Sequence, residues 1–346
     1  LTRNGGEALR VACLGAGYFA QFHYDAWRRN ARVRLVGSCD RDREKAKATG
    51  LTAFGDLEHM LKMANPDLLD IITPPPTHFE AIKLAIAKGV KAIICQKPFC
   101  TSLEEAKEAT ELAEATGVTV VVHENFRFQP WYRTIHQALD DRLIGDVLQV
   151  TFRLRTGDGQ GPRAYLDRQP YFQKMPKLLI HETGVHWVDT FRYLLGEPEA
   201  VYADLRRLNP AIKGEDAGYF VFDYANGVRA LFDGNRLLDH AAENCRTTLG
   251  EALIEGTEGT LTLSGDGSVR LRHFGDVKPS ILLAAQNWNG FGGDCVKNLI
   301  DHVVDGVLDG MPLENEARAY LKVIAIEQAI YESNRLGTKI REFAHA

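Results

Sequence analysis

Long apolar runs are missing from this chain. No stretch of its 346 residues approaches the length a helix needs to cross a bilayer, so no membrane association is expected. The opening Leu-Thr-Arg-Asn-Gly-Gly-Glu carries no apolar signal core, and a cytoplasmic location is expected. Basic runs are missing too. With a net charge of −5, neither nucleic acid nor an anionic membrane surface is an expected partner. The six cysteines (13, 39, 95, 100, 245 and 295) lack the paired spacing of metal ligands. They read as small, reduced core residues rather than a disulfide framework. Internal repeats and low-complexity segments are absent. What remains is an ordinary globular composition, 45% hydrophobic and 25% charged, in a chain long enough for two domains.

Residues 9–14 (Leu-Arg-Val-Ala-Cys-Leu) read as a short buried strand, and Gly15-Ala16-Gly17-Tyr18-Phe19-Ala20 follows it. Glycines after a strand allow a tight turn and close backbone approach to a pyrophosphate. The small Ala20 lets the next helix pack near the strand, with its N–H groups facing phosphate oxygens. A second strand spans residues 33–39, and Asp40 stands at its end. A carboxylate there can accept from both hydroxyls of an adenosine ribose and repels a 2′-phosphate, which favours NAD over NADP. Arg41 beside it can stack on adenine or hold a phosphate. Asp40 can also cap a helix over residues 41–49.

Strands at residues 68–73, 90–96 and 118–123 alternate with helical patterns at 77–87 and 102–115. Ser102 and Glu105 form a capping box, and Gly89 and Gly117 stop two helices. Repeated βαβ units predict a Rossmann-type, doubly wound parallel sheet over residues 1–125. From residue 126 to 346 the texture changes. Segments 147–155, 200–207, 217–223, 228–234 and 245–249 alternate apolar and polar residues, and Asn226-Gly227 marks a hairpin. One long helix is expected over 178–195, with closing helices at 291–305 and 314–334. This half reads as an α+β substrate-binding domain with a large, open, mostly antiparallel sheet. Helices can cover only part of that sheet, so a homodimer or homotetramer is expected. The loop 156–176 suits substrate enclosure.

Ligands of a parallel sheet bind beyond the carboxyl ends of its strands. Thr73, Pro74 and Pro75 stiffen a turn at one such edge, Thr77 can cap the following helix, and His78 lies in its first turn. Pro98 biases Lys97 to an extended backbone at another edge, where the nicotinamide is expected. Asn125 follows a third strand. In the second domain Glu182 and His186 share a helix face at i and i+4, and His186 and Asp189 stand at i and i+3. An acid–base histidine held by its neighbours is one reading. A structural histidine facing a buried acid is another. Zinc on His181, Glu182 and His186 is a third, but the spacing is not H-E-x-x-H, and no metal is expected.

Together Gly15-Ala16-Gly17-Tyr18-Phe19-Ala20, Thr73-Pro74-Pro75, Lys97-Pro98, Asn125-Phe126-Arg127-Phe128, Glu182-Thr183-Gly184-Val185-His186 and Phe191 to Gly196 resemble the glucose–fructose oxidoreductase / inositol dehydrogenase / MocA (Gfo/Idh/MocA) family over nearly the whole chain. The resemblance implies an NAD-dependent oxidoreductase acting on a sugar or polyol. The family's E-K-P lysine falls on Lys97, and its D-x-x-x-H pair falls on Glu182 and His186. In that scheme His186 takes the hydroxyl proton, Lys97 hydrogen-bonds the reacting oxygen, and Glu182 orients both histidine and substrate. The cofactor set becomes Gly15, Gly17, Tyr18, Phe19, Ala20, Asp40, Arg41, Thr73, Pro74, Pro75, His78, Gln96, Lys97 and Asn125. The substrate set becomes Lys97, Arg127, Arg163, Tyr165, His181, Glu182, His186 and Trp187. Two residues depart from the pattern: Gln96 stands for glutamate, and Glu182 for aspartate. The Cys95-Gln96-Lys97-Pro98 edge is similar to that of aldose and apiose dehydrogenases in the family. An aldose oxidised to a lactone is therefore the expected reaction. The alternatives are an inositol or polyol dehydrogenase, a redox-neutral glycosidase that retains NAD, and a dinucleotide-binding sensor.

Overall fold

The computed structural model describes residues 8–341 and 343. The chain divides into two compact units. Unit 1 runs to Asn125 and takes in Val296–Lys322; unit 2 holds Phe126–Cys295 and the chain from Val323. The expected division cuts the chain once, after residue 125. The structure instead returns Val296–Lys322 to unit 1.

Unit 1 opens with β1 (Leu9–Leu14), α1 (Ala20–Arg28), β2 (Val33–Cys39), α2 (Arg43–Ala48), β3 (Ala53–Phe54) and α3 (Leu57–Ala64). It continues with β4 (Leu68–Ile71), α4 (His78–Ala87), β5 (Ala92–Gln96), α5 (Leu103–Thr116) and β6 (Thr119–His123). The strands form a six-stranded sheet in the order β3-β2-β1-β4-β5-β6, every pair parallel. β4 and β5 are buried at every position, as a sheet covered on both faces requires. The order reverses between β1 and β4, which makes their carboxyl ends the switch point where such sheets bind ligands.

Local signals explain several boundaries. Ser102 caps α5 by accepting from the Glu105 N–H at 3.1 Å, and Gly117 ends it at φ +68°. Glu105 does not reach back to Ser102, however. Its carboxylate takes the Thr101 N–H at 2.7 Å. Thr77 does not cap α4: its hydroxyl lies 2.7 Å from Thr73 Oγ1 and 2.9 Å from the Pro74 carbonyl.

Unit 2 contains α6 (Pro130–Asp140), β7 (Val147–Leu154), α7 (Val185–Leu195), β8 (Ala200–Arg206), β9 (Ala217–Asp223) and β10 (Arg229–Asn235). β11 (Gly250–Gly256), β12 (Gly259–Leu263), β13 (Val269–His273) and β14 (Ser280–Leu283) complete its sheet. Of the two last helices, α8 (Cys295–Asp309) lies in unit 1 from Val296, and α9 (Ala317–Leu336) passes from unit 1 to unit 2 at Lys322. The sheet has eight strands in the order β14-β13-β12-β11-β7-β10-β9-β8, antiparallel except for β7 with β10. Its alternating inner residues, Phe220, Phe222, Phe232 and Phe152, pack against Trp187 and Phe191 of α7.

Two expectations fail here. Residues 245–249 are not a strand: they form a turn, and pairing with β7 begins at Gly250. The helix expected from Leu178 does not begin as an α-helix. Leu179–Gly184 is a π turn, and α7 starts after it.

Candidate active site

In unit 1 the glycine loop is built by backbone. Gly15 sits at φ +110°, and a Cβ there would come within 3.0 Å of the Ile72 carbonyl carbon beyond β4. A glycine is thus required for the loop to close onto the switch point. A Cβ at Gly17 would meet nothing within 4 Å, so that side of the loop is open to a ligand. Asp40 ties the loop down: one carboxylate oxygen accepts the Ala16 N–H and the other the Asp42 N–H, both at 2.8 Å. Asp40 is therefore not the helix cap; Asp42 caps α2. A carboxylate has about four acceptor sites, so two remain for ribose hydroxyls. Tyr18 and Arg41 are exposed, Phe19 is half-buried and Ala20 is buried, where α1 leaves the loop. These residues fit a dinucleotide: an open glycine turn, a helix N-terminus and an acid at the end of β2.

Thr73, Pro74 and Pro75 carry the chain from β4 into a 3₁₀ turn, Pro75–Thr77. His78 is fully buried. Its Nδ1 lies 2.9 Å from the Phe99 carbonyl and its Nε2 2.6 Å from the Thr73 carbonyl. Burial lowers its pKa, although both carbonyls favour the charged ring. With both nitrogens on the protein's own backbone, His78 braces the edge loops and offers no atom to a cofactor. Gln96 is likewise turned inward, its amide on His23 and His123. Lys97 is half-buried just beyond β5, with a cis bond to Pro98, and Asn125 is buried two residues beyond β6.

Side chains from distant segments build the site in unit 2. The π turn holds His181, Glu182 and Thr183, and His186 lies in the first turn of α7. π turns recur at functional sites because they re-aim side chains along an otherwise regular helix. The His186 ring stacks on Phe126 with centroids 3.8 Å apart and planes 3° apart, which fixes the imidazole plane. His181 Nδ1 lies 2.6 Å from Glu327, whose side chain is mostly buried. Among the described residues, no group of three or more His, Cys, Asp and Glu side chains could hold a metal ion.

Four residues expected on the substrate have partners within the fold. Arg127 makes a two-pronged ion pair with buried Asp189, at 2.8 and 2.6 Å. That pair gives both residues a structural role. Arg163 has a side chain 75% exposed and pairs with Asp167, four residues on in the same exposed turn. Trp187 is fully buried, donates to the Tyr132 hydroxyl at 2.9 Å and stacks on Phe152. Tyr165 is buried too, and its hydroxyl accepts from Arg236 at 2.7 Å.

Arg236 is the residue that sequence reasoning missed. It directly follows β10, with nothing around it to mark it. Its buried guanidinium donates to Tyr165, to Thr183 Oγ1 at 2.6 Å and to Asp158 at 3.3 Å. Arg168 also donates to Asp158, at 3.1 Å. Burial pushes the Asp158 pKa up, but Arg236, the Thr156 hydroxyl and Arg168 outweigh it and hold the carboxyl below its ordinary range. Glu182 adds negative charge within reach of Arg236. After burial, its charge is the next influence raising the Tyr171 pKa, and it also helps keep Arg236 charged.

Comparison with known proteins agrees with this construction. Residues 9–124 match the GFO/IDH/MocA oxidoreductase family model, an NAD-binding Rossmann fold, and residues 132–262 match that family's C-terminal domain. A D-apiose dehydrogenase from Paraburkholderia graminis is 32% identical, over 96% of this chain and 90% of its own length. An inositol 2-dehydrogenase from Rhizobium meliloti is 29% identical, over 66% of this chain and 69% of its own. The crystal structure of an oxidoreductase from Agrobacterium radiobacter, in complex with NAD+, L-tartaric acid and magnesium, superposes with a TM-score of 0.87 at 27% identity. That match covers 96% of this chain and 98% of the other. No helix among the described residues is long and apolar enough to cross a membrane. A glycine loop shaped at a sheet's switch point, a histidine-bearing π turn before a buried helix, and a match along nearly the full length of a curated relative lead to one assignment: the chain belongs to the GFO/IDH/MocA family and is an NAD-dependent oxidoreductase.

Proposed function

We propose that the enzyme oxidises an aldose at its anomeric carbon, giving a lactone, and that it favours NAD over NADP. Bound NAD supplies the hydride acceptor. His186 takes the hydroxyl proton through an imidazole whose plane Phe126 fixes, Lys97 hydrogen-bonds the reacting oxygen, and Glu182 orients His186 and a sugar hydroxyl. The observation that carries this reading is the stacked, 7% exposed His186 in the first turn of α7, just beyond the π turn that bears Glu182. The D-apiose dehydrogenase relative supports an aldose, and Asp40 at the end of β2 supports NAD. Gly15, Gly17, Tyr18, Phe19, Ala20, Asp40, Arg41, Thr73, Pro74, Pro75 and Asn125 form the cofactor set. His181 joins Glu182 and His186 on the substrate.

The inositol 2-dehydrogenase relative favours a second reading, a secondary ring hydroxyl oxidised to a ketone. NADH formation across pentoses, hexoses and inositols, with NAD and NADP in parallel, separates the two. Turnover confined to aldoses upholds the first reading; turnover confined to inositols replaces it. NAD binding without net reduction of any sugar would indicate the redox-neutral glycosidase or the sensor instead.

We also propose a homodimer or homotetramer formed through the outer face of the eight-stranded sheet. Tyr202, Val221, Leu231, Thr151 and Leu253 stand directly opposite one another across five strands of that face, a continuous row of mostly apolar side chains. Light scattering tests this, and a monomer rejects it.

A further inference from the structure

Gln96 ends β5 with its side chain directed into unit 1. Its Nε2 lies 2.7 Å from His23 Nε2 and 3.2 Å from His123 Nδ1, while its Oε1 lies 3.2 Å from the Lys97 backbone nitrogen. His23 continues the chain through Nδ1 to Asp70 Oδ2 at 2.8 Å, and the Trp27 indole N–H donates to the same oxygen at 2.7 Å. The two imidazoles lie against each other, centroids 4.2 Å apart. His23 and Asp70 are fully buried, and Gln96 is 8% exposed. These residues come from α1, β4, β5 and β6 and meet behind the lysine.

Hydrogen-bond chemistry decides how this cluster is protonated. A backbone N–H can only donate, so the Gln96 atom facing Lys97 is oxygen. The NH2 group then faces both imidazoles, and each must present a lone pair to it. His23 therefore carries its proton on Nδ1, toward Asp70, and His123 carries its proton on Nε2. Glutamate at this position has no hydrogen to give. His23, still donating to Asp70, would then turn a second N–H toward residue 96 and become an imidazolium between two carboxylates. The other titratable groups near Asp70 are Cys13 on β1, Cys95 on β5 and Tyr24 on α1. Burial pushes all three up, so they stay protonated.

We propose that Gln96 is a positioning residue for Lys97: its amide, locked by the Lys97 N–H, keeps His23 and His123 neutral and anchors the lysine's backbone to the buried Asp70–His23 pair. The proposal rests on the reading of Lys97 as catalytic. Protonation of His23 at Nε2 removes the acceptor that faces the amide. Gln96 must then flip, which sets its NH2 against the Lys97 N–H, donor against donor, and releases the lysine's main chain. The Gln96 hold on the Lys97 N–H thus depends on a neutral His23.

The test is imidazole nitrogen NMR on the full-length protein with NAD bound, alongside steady-state kinetics of Gln96→Glu and Lys97→Ala. The wild type is expected to show His23 protonated at Nδ1 alone and His123 at Nε2 alone near neutral pH. Gln96→Glu is expected to convert His23 to the doubly protonated form and to add an ionisation to the pH profile of kcat. It should lower kcat at neutral pH about tenfold, less than the roughly hundredfold cost of a full ångström of misplacement, while KM for NAD moves less than about twofold. Wild-type His23 protonated at Nε2 overturns the proposal whether or not the variant folds. So does a Gln96→Glu enzyme with unchanged tautomers and an unchanged pH profile. Failure of the Lys97 reading looks different: Lys97→Ala keeps full activity while the tautomers are as stated.

Discussion

The two units build their candidate sites from different materials. In unit 1 the ligand edge is largely main chain. Gly15 gives way to the Ile72 carbonyl, Asp40 holds two backbone N–H groups, and His78 spans two backbone carbonyls. In unit 2 the edge is made of side chains recruited across long stretches of sequence: His181 with Glu327, Arg127 with Asp189, and Arg236 with Asp158, Tyr165 and Thr183. Backbone requirements restrict residue type so strongly that they leave marks in the sequence, such as a glycine at positive φ or an acid at a strand end. A side-chain cluster can be assembled from many residue types and leaves almost none.

The sharpest way to break this comparison is to remove one group from each unit. Lys97→Ala and His186→Ala should each lower NADH formation by about a thousandfold, within the range of lost acid–base catalysis, with NAD affinity retained. Activity surviving in either variant removes that residue from the mechanism. Next in size is Arg236→Met, which leaves Asp158 and Tyr165 buried around a missing cation. Unfolding stability should fall by about 3 kcal/mol, read from denaturant midpoints. The sign of its pH dependence follows from Asp158, whose folded pKa lies below the unfolded value. The stability from its ion pairs is complete above the ordinary carboxylate range and is lost as pH falls through the folded value. Arg236→Met should shrink that acid-limb loss; an unchanged acid limb would show that Arg236 is not its source.

Asp40→Ala comes third. It frees the Ala16 N–H and removes the proposed ribose acceptor, with an expected cost of about 2 kcal/mol, roughly thirtyfold in NAD affinity, and a narrower gap to NADP by calorimetry. An unchanged NAD affinity would reduce Asp40 to a loop brace. The smallest effect belongs to Arg163→Ala. Its partner Asp167 is an exposed surface acid, so kcat/KM and stability should stay within about 0.5 kcal/mol of the parent. A large loss of kcat/KM would return Arg163 to the substrate site.

Legibility followed the same division. β1, β2 and β9 lie where their apolar patterns place them, to the residue. The Ser102 cap and the Gly117 stop were legible as local chemistry. Residues 245–249 misled because alternation alone does not make a strand; pairing with β7 needs Gly250, whose added Cβ would fall 1.9 Å from the Arg153 carbonyl oxygen. The π turn was invisible because an i, i+4 pattern fits an α-helix as well as a helix that widens by one residue. Trp187, Arg127 and Tyr165 suited a sugar pocket by type, yet each had a nearer partner within the fold.

The sequence by itself determined the parallel sheet and the glycine loop with Asp40 at the end of β2, because each depends on residues close together along the chain. Only the tertiary structure decided which polar side chains were already committed. It tied Arg127 to buried Asp189, took Trp187 into the interior, joined Arg236 to Asp158, and placed Gln96 between two histidines and the lysine backbone. A hydrogen-bond partner is a matter of distance in space, and that distance is set by folding rather than by position in the chain.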